Sequence, residues 1–215
     1  FELARHYDCD LDLHLDFDLN PEGMTVPEVI RCTLESGWQN RVTIGHVTKL
    51  SALPPQEFRE TALALAEAGV QVTALPSTDL FLTRRGATHN IPRGVAPLPR
   101  LHACGVTCSV STNNVGNPFT PFGDASLIRQ ANLLANVCHL GTPAELVQCL
   151  AWVSAESAKM IRLPNYGLSS GCHADFLVVD ARAPADVIAE LGQPLMAFKA
   201  GRQTFERSPA TLLAP

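Results

Sequence analysis

Four short apolar runs recur along the chain at intervals of about 30 residues. They are Cys9–Asp16, Arg41–Val47, Val70–Pro76 and Gly105–Thr112, and each reads as a strand. The stretches between them have helical period and helical punctuation. Thr25-Val26-Pro27-Glu28 has the form of a capping box, and Gly37 stands where the helix it opens should end. Pro55–Ala68 is rich in helix formers and is stopped by Gly69. Asp124 is placed to cap a helix over Ala125–Cys138. Thr142-Pro143-Ala144-Glu145 is a second capping box, with proline at the first helical position. Strand and helix alternating in this way predict βα units and a parallel sheet.

The rhythm changes at about residue 165. Ala174–Asp180 and Leu195–Phe198 read as strands, with a short helix, Ala185–Leu191, between them. Lys199-Ala200-Gly201-Arg202 then turns the chain into Gln203–Phe205. The pattern divides the chain into residues 1–164, an α/β body, and residues 165–215, a small β-rich appendage.

Composition narrows the class. With 46% hydrophobic and 17% charged residues and a formal charge of −5, the chain is an ordinary globular sequence. No apolar run approaches the roughly 18–20 residues needed to span a bilayer, so no membrane role is expected. The charge is mildly acidic and no Lys/Arg cluster occurs, which argues against a nucleic-acid partner. The seven cysteines form no CxxC pair and mostly sit in apolar stretches, which predicts reduced, buried thiols and a cytoplasmic location. The first residue is Phe1 and no leader-like segment follows it, so residues upstream of Phe1 are expected to be absent from this chain.

In parallel βα folds the chemistry gathers where strands end and the next loops begin. His14 lies near the end of the first predicted strand, followed by Asp16 and Asp18. His46 ends the second, Asp79 opens a long loop after the third, and Ser111-Thr112-Asn113-Asn114 ends the fourth. One histidine at a strand end is most often a hydrogen-bonded structural residue. Its recurrence in consecutive units is what points to a mononuclear zinc or iron site with a side-chain oxygen. The histidines at 6, 89, 102, 139 and 173 lack this placement and read as structural.

At these segments the sequence resembles the amidohydrolase superfamily, in particular its cytosine deaminase and N-isopropylammelide amidohydrolase branch. His14-Leu15-Asp16 is similar to the family's strand-five segment, which supplies a metal-binding histidine. Gly45-His46-Val47-Thr48 resembles strand six, and Ser111 to Gly123 resembles the strand-eight segment with its Pro-aromatic-x-Pro-aromatic-Gly stretch. Gly171-Cys172-His173-Ala174-Asp175 through Asp180 is similar to the family's return into a β-sandwich, closed by the hairpin at Lys199–Arg202.

The resemblance implies the C-terminal half of a (β/α)8 TIM barrel, strands five to eight, with part of a small β-sandwich. It implies one Zn2+ or Fe2+ held by His14, His46 and Asn113, incomplete in this chain. His46 would also orient the attacking hydroxide, and Asp16 stands in for an acid–base carboxylate. Asn114, Asp79 and Phe119 are the candidate substrate contacts, with Arg84 and Arg85 in the adjoining loop. The activity implied is hydrolysis of a non-peptide C–N bond in a nitrogen heterocycle or cyclic amidine, releasing ammonia or an amine. The implied partners are that small substrate, the N-terminal half of the barrel and further copies in a homo-oligomer. Two positions depart from the family's pattern. Asn113 stands where the family has a metal-binding aspartate, and Phe17 where it has a proton-carrying glutamate. An amide cannot take up a proton as a carboxylate does. The alternative these residues suggest is a degenerate, metal-poor relative that serves as a binding or scaffold protein.

Overall fold

The strands of the larger sheet run parallel in the order β1 (Leu11–Leu15), β2 (Val42–His46), β3 (Val70–Ala74) and β4 (Cys108–Val110). This computed structural model describes residues 1–211 and 213. A short helix α1 (Glu2–Tyr7) precedes β1. Helix α2 (Val26–Ser36) connects β1 to β2, and α3 (Pro55–Glu67) connects β2 to β3. Two short helices, α4 (Pro76–Leu82) and α5 (Leu98–Ala103), lie between β3 and β4. Three more follow: α6 (Leu127–Val137), α7 (Pro143–Trp152) and α8 (Ala155–Met160). Among the described residues no helix is long and apolar enough to cross a membrane.

Strands of an all-parallel sheet are usually apolar on both faces. Here they alternate. Leu11, Leu13 and Leu15, Val42 and Ile44, Val70 and Val72, and Cys108 and Val110 share one face, and all belong to or pack against the main core. The helices meet this core with residues at helical spacing, such as Phe58, Ala62 and Leu65 of α3. Burying each large aliphatic side chain contributes about 1.5–3 kcal/mol. The opposite face carries a register row of His14, Gly45, Thr73 and Ser109, and beside it Asp12, Thr43 and Gln71. Thr73 Oγ1 and Ser109 Oγ lie 2.8 Å apart, and Thr43 Oγ1 donates to Gln71 Oε1 at 3.3 Å, so this polar face satisfies much of itself.

The helix boundaries match the punctuation with two corrections. Thr25 does cap α2, but its side chain makes no capping bond; the backbone N–H groups of Thr25 and Val26 donate to the Asp16 carboxylate at 2.9 Å. The cap of α6 is Ser126, whose hydroxyl accepts from Arg129 N, while Asp124, two residues earlier, accepts from Ser126 N. The capping box at Thr142 and Glu145 has both reciprocal bonds.

The C-terminal segment holds a second sheet, antiparallel, of β5 (Phe176–Val179), β6 (Pro194–Lys199) and β7 (Arg202–Glu206). Between β5 and β6 lies α9 (Pro184–Ala189). Val187 and Ile188 of α9 are part of the main core, and Asn132 Nδ2 donates to the Ile188 carbonyl at 2.8 Å. Helix α9, with Val179 and Ala181 beside it, therefore packs on the core of the α/β body. The cysteines are all free, but only Cys108 and Cys149 are buried; Cys9 is exposed and the other four are half-buried, which corrects the expectation of burial throughout.

Candidate functional site

Residues just past the ends of three parallel strands share an unusual backbone. Asp16 after β1, His46 at the end of β2 and Asn113 after β4 have φ of 53°, 68° and 62°. Asp, Asn and His tolerate the left-handed region better than most residues. Val47 follows at φ 41°, a conformation that costs a β-branched residue free energy and that clusters at functional sites. The twist at His46 has a consequence. By register, residue 46 belongs to the apolar face with Val42 and Ile44, yet its imidazole meets that of His14 from the polar face.

The two rings are edge to face, with centroids 4.9 Å apart and His46 Nε2 3.2 Å from His14 Nδ1. Gly45 makes room for this arrangement, because a Cβ there would stand 3.3 Å from His14 Cδ2. The Asn113 amide lies 3.4 Å from His46 Nε2. Each imidazole has an acidic residue behind it. Asp79 Oδ1 is 2.6 Å from His46 Nδ1, and the exposed Asp12 is 4.0 Å from His14 Nε2. Burial pushes the Asp79 carboxyl above its ordinary range, while the hydrogen bond from His46 pulls the other way.

The remaining candidates divide. Asp79, expected to open a loop and meet substrate, instead sits inside α4 and is fully buried, so it faces His46 and no solvent-borne molecule. Asp16 is buried, and both its oxygens are taken by the start of α2; no contact brings it to the imidazole pair. Phe17 stands edge-on to His46, centroids 5.5 Å apart. Asn114 accepts from Asn117 Nδ2 at 2.7 Å, and Phe119 is exposed beside it on the same loop. Arg85 lies over the Phe81 ring, 4.7 Å from its centroid. Sequence reasoning missed the pairing of Asp79 with His46, because the two are 33 residues apart and no local pattern links them.

The donor set can be tested against a metal ion. Two nitrogens on a tetrahedral zinc, each about 2.0–2.1 Å from it, are separated by about 3.3 Å. His14 Nδ1 and His46 Nε2, 3.2 Å apart, have this spacing, and the Asn113 amide can turn its oxygen toward the same point. The residues fit one side of an ion. Among the described residues no group of three or more His, Cys, Asp or Glu could enclose one, so further ligands would have to come from elsewhere.

A parallel α/β sheet with an imidazole pair at its C-terminal rim defines a class of rim-site proteins. The pattern of the Amidohydrolase family matches residues 1–205, and the chain belongs to that family. It is 26% identical over 196 residues to a pterin deaminase from Rhizobium rhizogenes (strain K84 / ATCC BAA-868), covering 90% of this chain and 44% of that protein. It is 24% identical over 205 residues to an N-isopropylammelide isopropyl amidohydrolase from Pseudomonas sp. (strain ADP), covering 94% of this chain and 47% of that one. The chain thus spans less than half the length of either relative. In three dimensions it superposes on 5-methylcytosine deaminase from Klebsiella pneumoniae, crystallised with 5-fluorocytosine, with a TM-score of 0.93 at 21% identity, covering all of this chain and 52% of that one.

Proposed function

We propose that this chain is the C-terminal half of a metal-dependent (β/α)8 hydrolase, strands five to eight, with part of its β-sandwich. The whole protein would hydrolyse a non-peptide C–N bond in a nitrogen heterocycle or cyclic amidine. The relatives' names, a pterin deaminase and an N-isopropylammelide amidohydrolase, support this substrate class. The observation that carries the reading is the 3.2 Å spacing of His14 Nδ1 and His46 Nε2 at the strand rim.

His14, His46 and the carbonyl oxygen of Asn113 would hold Zn2+ or Fe2+. Such an ion supplies Lewis acidity and makes hydroxide available near neutral pH. The chain's own residues do the rest of the work assigned to this half. If Nδ1–H is given to Asp79, 2.6 Å away, His46 would keep the Nε2 lone pair on the side of His14 and Asn113. Phe17 stands edge-on to that imidazole and packs against one side of it. Asn114 and Phe119, on the loop after β4, would meet a flat ring, the amide by hydrogen bonding and the exposed phenyl by stacking. Neither Asn113 nor Phe17 can carry a proton. The proton carrier would then be another titratable group, His46 or Asp16 of this chain or a residue of the half of the barrel outside it. The outer edges of β1 and β4, unpaired among the described residues, are where strands one to four would close the barrel.

Metal analysis and turnover of the full-length protein test the reading. Zinc or iron at about one per chain, with ammonia or amine released from pterins, cytosines or triazines, is the expected result. A metal-free protein that binds such rings without releasing ammonia would overturn it.

A further inference from the structure

We propose that Asp79 is a positioning residue, whose carboxylate fixes His46 in one tautomer and one orientation so that Nε2 is presented to His14 and Asn113. The proposal deepens the reading of the imidazole pair as a ligand set, and rests on it only for its consequence on metal affinity.

Three observations converge on this role. His46 closes β2 with a left-handed φ of 68°, so the regular alternation of the strand does not set its ring and side-chain contacts must do so. The shortest of those contacts is the 2.6 Å bond to Asp79. Asp79 itself is rigidly held, since its N–H donates to the Leu75 carbonyl and its own carbonyl accepts from the Thr83 N–H and hydroxyl. Finally, Asp79 Oδ2 is buried and has no hydrogen-bond partner among the described residues. A carboxylate kept in the core for packing or stability would not leave one oxygen unpaired at a cost of about 1–3 kcal/mol. Its placement serves the other oxygen's bond to His46.

Charge makes the role more pointed. The side chain nearest His46 Nε2 besides His14 is the neutral Asn113, and among the described residues no carboxylate lies within hydrogen-bond reach of His46 Nε2 or His14 Nδ1. Asp79 reaches the site from behind the ring, through its 2.6 Å contact with His46 Nδ1. A carboxylate on the far nitrogen raises the basicity of a ligating imidazole and selects its tautomer, and losing such a partner typically costs 10–100-fold in metal affinity.

The test is nitrogen NMR of the full-length protein with 15N-labelled histidine, first without metal and then in a zinc titration. In the wild type, His46 should show a protonated Nδ1 and an unprotonated Nε2. Asp79→Leu should mix the tautomers and weaken zinc at least 10-fold. Asp79→Asn, whose amide oxygen can still accept from Nδ1–H, should keep the tautomer and lose less affinity. If Asp79→Leu does not fold, Asp79→Ser gives the same comparison with a smaller side chain. A His46 spectrum unchanged in the Leu or Ser variant overturns the proposal, as does an Asn variant as mixed as the Leu one. A wild type with the predicted tautomer that binds no zinc supports the positioning role and sinks the metal reading instead.

Discussion

The imidazole of His14 lies against the bare Cα of Gly45, its partner in the parallel register. A Cβ at position 45 would meet His14 Cδ2 at 3.3 Å and Leu75 Cδ1 at 3.4 Å, closer than side chains normally pack. Gly45 has ordinary backbone angles, so glycine is needed here for space and not for conformation. Gly45→Ala should therefore leave stability within about 1 kcal/mol, since the half-exposed His14 ring can swing away. The swing breaks the 3.2 Å approach to His46, and zinc affinity should fall about 10-fold. Thermal unfolding and a zinc titration of the same variant check both halves.

Asn113 offers the reverse experiment. Asn113→Asp adds an anionic oxygen 3.4 Å from His46 Nε2, where only a neutral amide now stands. A hard anionic donor should tighten zinc or iron by about 10-fold or more. Competition with a chelator of known affinity measures it, and equal or weaker binding by the Asp form would place the ion away from Asn113.

What could be read in advance follows from the range of each signal. Strand alternation and helix punctuation are local, so β1 to β4, the Thr142 capping box and the β6–β7 hairpin lie within a few residues of their expected bounds. His14 and His46 are legible as a pair because both fall near the ends of consecutive predicted strands. The role of Asp79 was hidden, since only the packing of α4 against the end of β2 brings it to His46. The cap of α2 was hidden for the same reason. Thr25 and Glu28 satisfy the capping pattern, but Asp16, nine residues earlier, reaches the free N–H groups first. The join between the C-terminal segment and the main core was also invisible, because helix α9 is too short for its apolar pair to signal where it packs.

Ile188 tests that join. It is fully buried in the main core although it follows the second sheet's first strand. Ile188→Ala should cost about 2–5 kcal/mol. If residues past 165 unfolded as a separate unit, urea denaturation would show two transitions, only one of them shifted by the substitution. One transition, shifted as a whole, is expected.

Acid should weaken the start of α6. The Arg129 side chain and the Ser126 N–H hold the Asp124 carboxyl down at about 2, below the unfolded value of about 3.9. A depressed folded value means that the stabilisation is fully present above about pH 4 and is lost as pH falls toward 2. Because the group is exposed, the effect is small and salt-sensitive. Asp124→Asn should lower the urea midpoint slightly at pH 6, by less at pH 3, and not at all below pH 2. A difference that persisted or grew in acid would assign the effect to something other than this carboxylate.

Asp16 stands beside the imidazole pair in sequence and was the natural candidate for a proton carrier. Its geometry argues for a different task. Both carboxylate oxygens accept from the Thr25 and Val26 N–H groups, which have no intrahelical partner at the start of α2. Asp16→Ala should cost about 1–3 kcal/mol, because it leaves those donors unpaired in a buried setting. Asp16→Asn, whose amide oxygen can accept from one of them, should cost less. Zinc affinity should stay within about 3-fold of wild type in the Asn variant, since no metal-facing atom moves. Turnover by the full-length protein decides the matter. Loss of an acid–base group typically costs 10²–10⁴-fold in rate, so an Asn variant that keeps more than about a tenth of wild-type activity rules Asp16 out as the proton carrier.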